Sequence, residues 1–158
     1  MTSTTEAAVR ELCDRAAIHD VLMRYARGVD RRDLDLVAAC FTADAAYDGT
    51  LAQGTIADAL AALRGRLARY EHTMHFMGNQ LIEVRGDNAT CETYAVAYHR
   101  LSSDGPPHDL TVGIRYLDEL VRQGEHWRIR RRVVQREWER TDAVVLPPNR
   151  NAPARNPK

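Results

Sequence analysis

The sequence predicts a single α+β domain, with three N-terminal helices packed on a curved, mainly antiparallel sheet and a pocket between the two layers. Three observations predict it. Apolar residues recur at helical spacing up to about residue 70. Beyond that point the pattern changes to long strands. Turns containing Gly86 and Gly124 then join those strands in antiparallel pairs. A chain of 158 residues is long enough for one hydrophobic core and short for two.

The first helix runs from Glu6 to Val29, where Ile18, Leu22, Tyr25 and Val29 form one apolar stripe and Arg15, Asp20, Arg24 and Arg27 lie largely off it. Gly28 loosens its end. Asp33 is the N-cap of a short helix, "LDLVAACF", over 34–41. "TADAAYDGT" reads as a turn and a short strand. Thr55 caps a third helix over 55–70, with Leu60, Leu63 and Leu67 on one face. Strands follow at 72–86 and 89–103, around the "GDN" turn, and then at 109–123 and 126–140 after the breaker "DGPPH". The domain is expected to span 1–145. The remaining 146–158, with four prolines and no apolar period, is expected to be a mobile tail.

Composition narrows the function classes. Hydrophobic residues make up 44% and charged residues 28%, as in ordinary soluble proteins. Lys+Arg and Asp+Glu are both 22, so no net charge draws the chain to nucleic acid or to an anionic membrane. No run approaches the ~18 apolar residues of a membrane span, and the N-terminus has no apolar signal core. Cys13, Cys40 and Cys91 are far apart and odd in number, which points to reduced thiols in a cytoplasmic protein. "RIRRRVVQR" reads as a strand whose alternate arginines solvate one face, and Tyr116, Trp127 and Ile129 read as core. No phosphate loop, dinucleotide fingerprint or nucleophile elbow is present.

The runs "RAAIHDVLMRYARGVDRRD", "CFTADA", "HTMHFMGNQLIEV", "YAVAYHR" and "IRYLDELVRQGEHWRIRRRVV", in that order, resemble the nuclear-transport-factor-2-like superfamily, and its SnoaL-like members in particular. The resemblance covers about residues 6–140. It implies a cone-shaped α+β barrel, open to a cavity, and a homo-oligomer, dimer or trimer. Its members include dehydratases, a dehydrochlorinase, isomerases, polyketide cyclases and the small subunits of ring-hydroxylating dioxygenases, so the fold leaves the chemistry open.

Tyr25 and Asp30 match a tyrosine and an aspartate of the dehydratase branch. Five helical residues put them about 140° apart, so they converge only if the helix ends or bends at Gly28–Val29. His72 and His75 point to opposite faces of a strand, which argues against a metal site. A bulge near Gly78–Asn79 would place His75 on one face with Ile82 and Val84. His75 matches the family's pocket histidine, and His72 is expected at the surface. Ala95, Ala97 and His99 share a face, and His99 matches a second pocket histidine of scytalone dehydratase.

These matches imply an Asp30–His75 acid–base dyad, assisted by Tyr25 and His99, that removes an acidic C–H proton and expels a β-hydroxyl without metal or organic cofactor. Leu22, Val29, Phe41, Leu63, Met77 and Ile82 are candidate apolar walls for a small cyclic substrate, steroid-like or polyketide-like. Asn79, Tyr94, Tyr98 and Arg115 are further candidate lining residues whose strand parity the sequence leaves open. The enzymatic alternative is an isomerase or cyclase, and the alternative from another class is a non-catalytic subunit or ligand-binding module.

Overall fold

The apolar stripe of Ile18, Leu22, Tyr25 and Val29 lies buried along α1 (Thr4–Arg31) in the computed structural model, which describes residues 4–101 and 108–144. The helix does not stop at Gly28. It closes at Arg32, which is left-handed at φ 58°. The Asp33 N–H donates to the Gly28 carbonyl (2.8 Å) and the Arg32 N–H to that of Val29 (3.1 Å), the bonding pattern of a Schellman ending. Gly28 matters for packing instead. A Cβ there would meet Val37 Cγ2 at 2.8 Å, so its bareness lets α2 (Leu34–Ala39) lie against α1. Asp33 caps α2, its side chain accepting from the Leu36 N–H at 2.9 Å.

Phe41 begins β1 (Phe41–Asp48) rather than ending the short helix, and β2 (Gln53–Thr55) is a strand the sequence pattern did not reveal. Helix α3 (Ile56–Leu67) starts at the Thr55 cap, where Asp58 answers with a reciprocal capping box. The long strands are β3 (Tyr70–Arg85), β4 (Asn88–Leu101), β5 (His108–Gln123) and β6 (His126–Ala143). The tail, 146–158, and most of the "DGPPH" breaker lie outside the described residues.

The strand order is β2-β1-β6-β5-β4-β3, antiparallel except where β1 runs parallel to β6. Helix α1 touches β3 at one edge and β6 three strands away, so the open sheet curves around it. Asp14 fastens the two layers. Its carboxylate accepts from Arg122 Nη2 (2.6 Å) and Trp127 Nε1 (3.2 Å), and the Arg122 guanidinium lies over the Trp127 ring. Among the described residues no helix is long and apolar enough to cross a membrane.

Bulges set which side chains face inward. In β3, Gly78 and Asn79 together oppose Tyr94, which keeps His75 and Ile82 on the inner face, and His72 is exposed. In β6, Glu119 pairs with Arg131 but Leu120 with Ile129, so Arg130 is an extra residue. That extra residue corrects the solvated-arginine reading: parity flips after it, and Arg132 joins Trp127 and Ile129 inside, 0% exposed. A second bulge at Glu137 turns Trp138 outward over Gly113. The outer face therefore carries Met74, Phe76, Tyr94, Tyr98 and Trp138, all exposed in the single chain.

Candidate functional site

The inner faces of β3 to β6 and the two longer helices enclose a cavity walled by Tyr25, Val29, Leu63, His75, His99 and Tyr116, among others. The cavity volume is about 80 Å³. That volume lies below the ~300–1,000 Å³ usual for small-molecule sites, which limits the occupant to a small molecule.

His75 reaches this wall from β3 and turns Nδ1 back to Asp30 on α1. The Nδ1 to Oδ1 distance is 2.7 Å, the His75 backbone N–H donates to Oδ2 at 2.9 Å, and the Thr73 hydroxyl donates to Oδ1 at 3.1 Å. Burial alone would raise the Asp30 pKa, but the hydrogen bonds from His75 and Thr73 and the nearby imidazole together outweigh it and hold the carboxyl below its ordinary value. An ionised Asp30 takes the Nδ1–H, which leaves Nε2 as the basic nitrogen. The His75 side chain is 6% exposed and that of Asp30 is 21% exposed.

Asp30 and His75 thus meet, but not by the route read from the sequence. With α1 continuous past Gly28, Asp30 stays angularly apart from Tyr25 and does not line the cavity. It stands behind His75, which does. Tyr25, His75 and His99 share the cavity wall. The His75 and His99 rings meet edge to face, centroids 5.7 Å apart, and Tyr70 packs on the far histidine at 4.6 Å.

His99 Nδ1 is buried without a hydrogen-bond partner. Burial first, and then repulsion from His75, push its pKa down to about 4, so it is neutral at cellular pH. The unfolded chain protonates this residue near 6.5 and the folded protein only near 4, so its contribution to stability is complete above pH 6.5 and is lost as pH falls toward 4. His99→Phe should flatten that part of a plot of urea midpoint against pH. An unchanged slope would show that His99 is not the group being desolvated.

Other expected wall residues lie elsewhere. Val29 and Leu63 line the cavity, whereas Leu22, Phe41 and Ile82 belong to the packed core beneath it. Met77 packs against that core and does not reach the wall. Asn79, Tyr94, Tyr98 and Arg115 do not belong to the pocket. The β3 bulge leaves Asn79 exposed opposite Tyr94, and the alternation of β4 sends Tyr94 and Tyr98 to the outer face. Arg115 pairs there with Glu92 and Glu137.

Sequence reasoning missed a buried cation under the site. Arg132 forms a two-pronged pair with Asp118 at 2.7 and 2.8 Å. Its guanidinium carbon lies 4.0 Å from the Tyr25 ring centroid, 4.4 Å from that of Tyr116 and 5.4 Å from that of Phe41. Desolvation works against its charge, but Asp118 outweighs that and keeps it protonated. Desolvation also raises the Tyr47 and Tyr116 hydroxyls, so both stay protonated around the cavity. No sequence motif marks Arg132; the signal was the bulge, which only pairing reveals. Among the described residues no cluster of three or more His, Cys, Asp or Glu is arranged to hold a metal.

A family model described as a SnoaL-like domain matches residues 10–133. The uncharacterized protein Rv2910c of Mycobacterium tuberculosis is 30% identical over 133 residues, which is 80% of this chain and 87% of that protein. A hexachlorocyclohexane dehydrochlorinase of Novosphingobium barchaimii has a similar structure, with TM-score 0.77 at 20% identity over 89% of this chain and 99% of that one. Two proteins of Novosphingobium aromaticivorans do as well. One is a candidate scytalone dehydratase, with TM-score 0.76 at 21% identity over 85% of this chain and 91% of that one. The other is a candidate aromatic ring hydroxylase, with TM-score 0.73 at 27% identity over 84% and 94%. At 20% and 21% identity, the likeness to the dehydrochlorinase and to the candidate scytalone dehydratase shows the fold alone.

Proposed function

The chain belongs to the SnoaL-like domain family, and on that premise we propose that it is a lyase of the dehydratase type, acting by acid–base chemistry on a small cyclic, largely hydrophobic substrate. The observation that carries this reading is the 2.7 Å contact between Asp30 and His75, with the same imidazole on the wall of a cavity it shares with Tyr25 and His99. Two enzymes of like fold have names that denote loss of water and of hydrogen chloride, which are both eliminations.

In this reading His75 Nε2 takes the proton from a carbon beside a ketone, and the C–H electron pair passes into the carbonyl as an enolate. The Tyr25 hydroxyl donates a hydrogen bond to the developing oxyanion. Collapse of the enolate forms the new C=C bond and expels the β-hydroxyl, which leaves as water with the proton returned from His75. Asp30 stabilises the imidazolium between the two transfers, and the enzyme ends as it began.

The test is a panel of cyclic β-hydroxy ketones incubated with the protein and followed by mass spectrometry. Loss of water with the wild type and not with His75→Ala is expected. Rearranged products of unchanged mass would replace the lyase with an isomerase, and no turnover across the panel would count against catalysis of this kind.

A further inference from the structure

The chain as a whole is neutral, but its cavity is not. Two arginines, Arg66 and Arg136, and two histidines line it, and no Asp or Glu does among the described residues. Arg136 is already paired with Glu139. Arg66 has no acidic partner among the described residues. Among the described residues its guanidinium makes one hydrogen bond, from Nη2 to the Thr50 carbonyl at 3.2 Å, and Thr50 is itself part of the wall. A guanidinium carries five N–H donors, so most of its fork is unspent.

The geometry points to an anionic group on the substrate, a carboxylate on a small ring, held by Arg66 while the ring lies among the apolar walls of the cavity that His75 also lines. This inference rests on the reading of the cavity as a substrate site and adds the chemical class of what enters it. An unpaired guanidinium on a wall of Val29, Leu63, Leu67, Leu110, Val112 and Ile114 is poorly solvated once a ring displaces water, and a carboxylate restores its hydrogen bonds. Arg66 sits in the last turn of α3, where a cation also meets the helix's negative end, but Arg64 serves there too and does not line the cavity. The field of Arg66 reaches across the space: after burial and His75, it is among the influences that lower His99.

The experiment compares 2-naphthoate with 2-naphthamide, which share a shape and differ in charge, by titration calorimetry on the whole chain. Wild type should bind the naphthoate at least ~10-fold tighter, a preference worth ~1.4 kcal/mol. Arg66→Gln should lose that preference and Arg66→Lys should keep part of it, as a point charge without the fork. Binding of the naphthoate should also raise the His99 pKa followed by NMR, because the anion cancels the guanidinium's field. Equal binding of the two probes, an unaltered preference in Arg66→Gln, or no binding of either at millimolar concentration would overturn the inference. Asp30→Asn, repeated in the same titration, should keep the naphthoate preference, because Asp30 lies behind the wall. A naphthoate preference in a wild type that dehydrates no β-hydroxy ketone of the panel would refute the lyase and leave the anion site standing.

Discussion

On the lyase reading, Asp30→Asn should lose most of the dehydration rate and keep the fold. With its oxygen in the place of Oδ2 the amide still accepts from the His75 backbone N–H, and its N–H₂ in the place of Oδ1 can donate to the Thr73 hydroxyl oxygen, so the contacts at 2.9 and 3.1 Å survive, the second with its direction reversed. It cannot stabilise an imidazolium, and its N–H₂ competes for the Nδ1 position that sets the tautomer. His75→Ala should cost at least ~10²-fold, within the ~10²–10⁴ span of a general acid or base. The double variant should be little worse than the worse single one, because the two residues act as one unit. Tyr25→Phe should be milder, since it removes one hydrogen bond and no proton carrier. The measurement is a kinetic cycle on whichever β-hydroxy ketone turns over, with circular dichroism on each variant. Fully multiplicative losses for Asp30 and His75 would assign them independent roles and sink the dyad.

Arg132→Met should destabilise the protein by ~3–5 kcal/mol, because it leaves Asp118 buried with no cation. Both partners are 0% exposed at the side chain, and neither can turn to water without opening the core. Replacing both, as Arg132→Met with Asp118→Leu, should recover most of that loss, since a packed apolar pair of similar volume is often neutral or better. Urea unfolding of the two single variants and the double variant reads the three values. A single Arg132→Met costing under ~1 kcal/mol would mean that water reaches Asp118 and that the pair is not sealed. If the double variant is stable yet slow, the cation beneath Tyr25 serves the hydroxyl above it more than the fold.

Helical spacing exposed the α1 stripe and the Thr55 cap because both are local: one depends on a 3.6-residue period, the other on two side chains three residues apart. The hairpins were legible for the same reason, through Gly86 and Gly124 at positive φ. What the sequence hid was relational. Which face Asn79, Tyr94, Tyr98 and Arg115 occupy depends on where strands gain a residue, and that depends on partners up to dozens of residues away. Arg132 was misread because alternation holds on either side of Arg130 but not across it. The glycine at 28 signals a close approach in the structure, not a bend, and composition cannot tell the two apart. Arg66, Tyr47, Tyr70 and Thr73 came to the site from segments that look unremarkable alone, since their proximity is made by the curvature of the sheet.

The bulges at Arg130 and Glu137 bracket a stretch of β6 in which Arg132, Val134 and Arg136 face inward. Strand β6 therefore behaves like a message read in two frames, with the first bulge shifting the frame and the second shifting it back. Deletion of the extra residue Arg130 is not a local lesion. It would turn the buried cation and two cavity walls out to solvent together, and bring Arg131, Val133 and Gln135 in their place. A substitution along that strand alters one side chain at a time, whereas loss of that single residue rewrites one wall of the pocket at once.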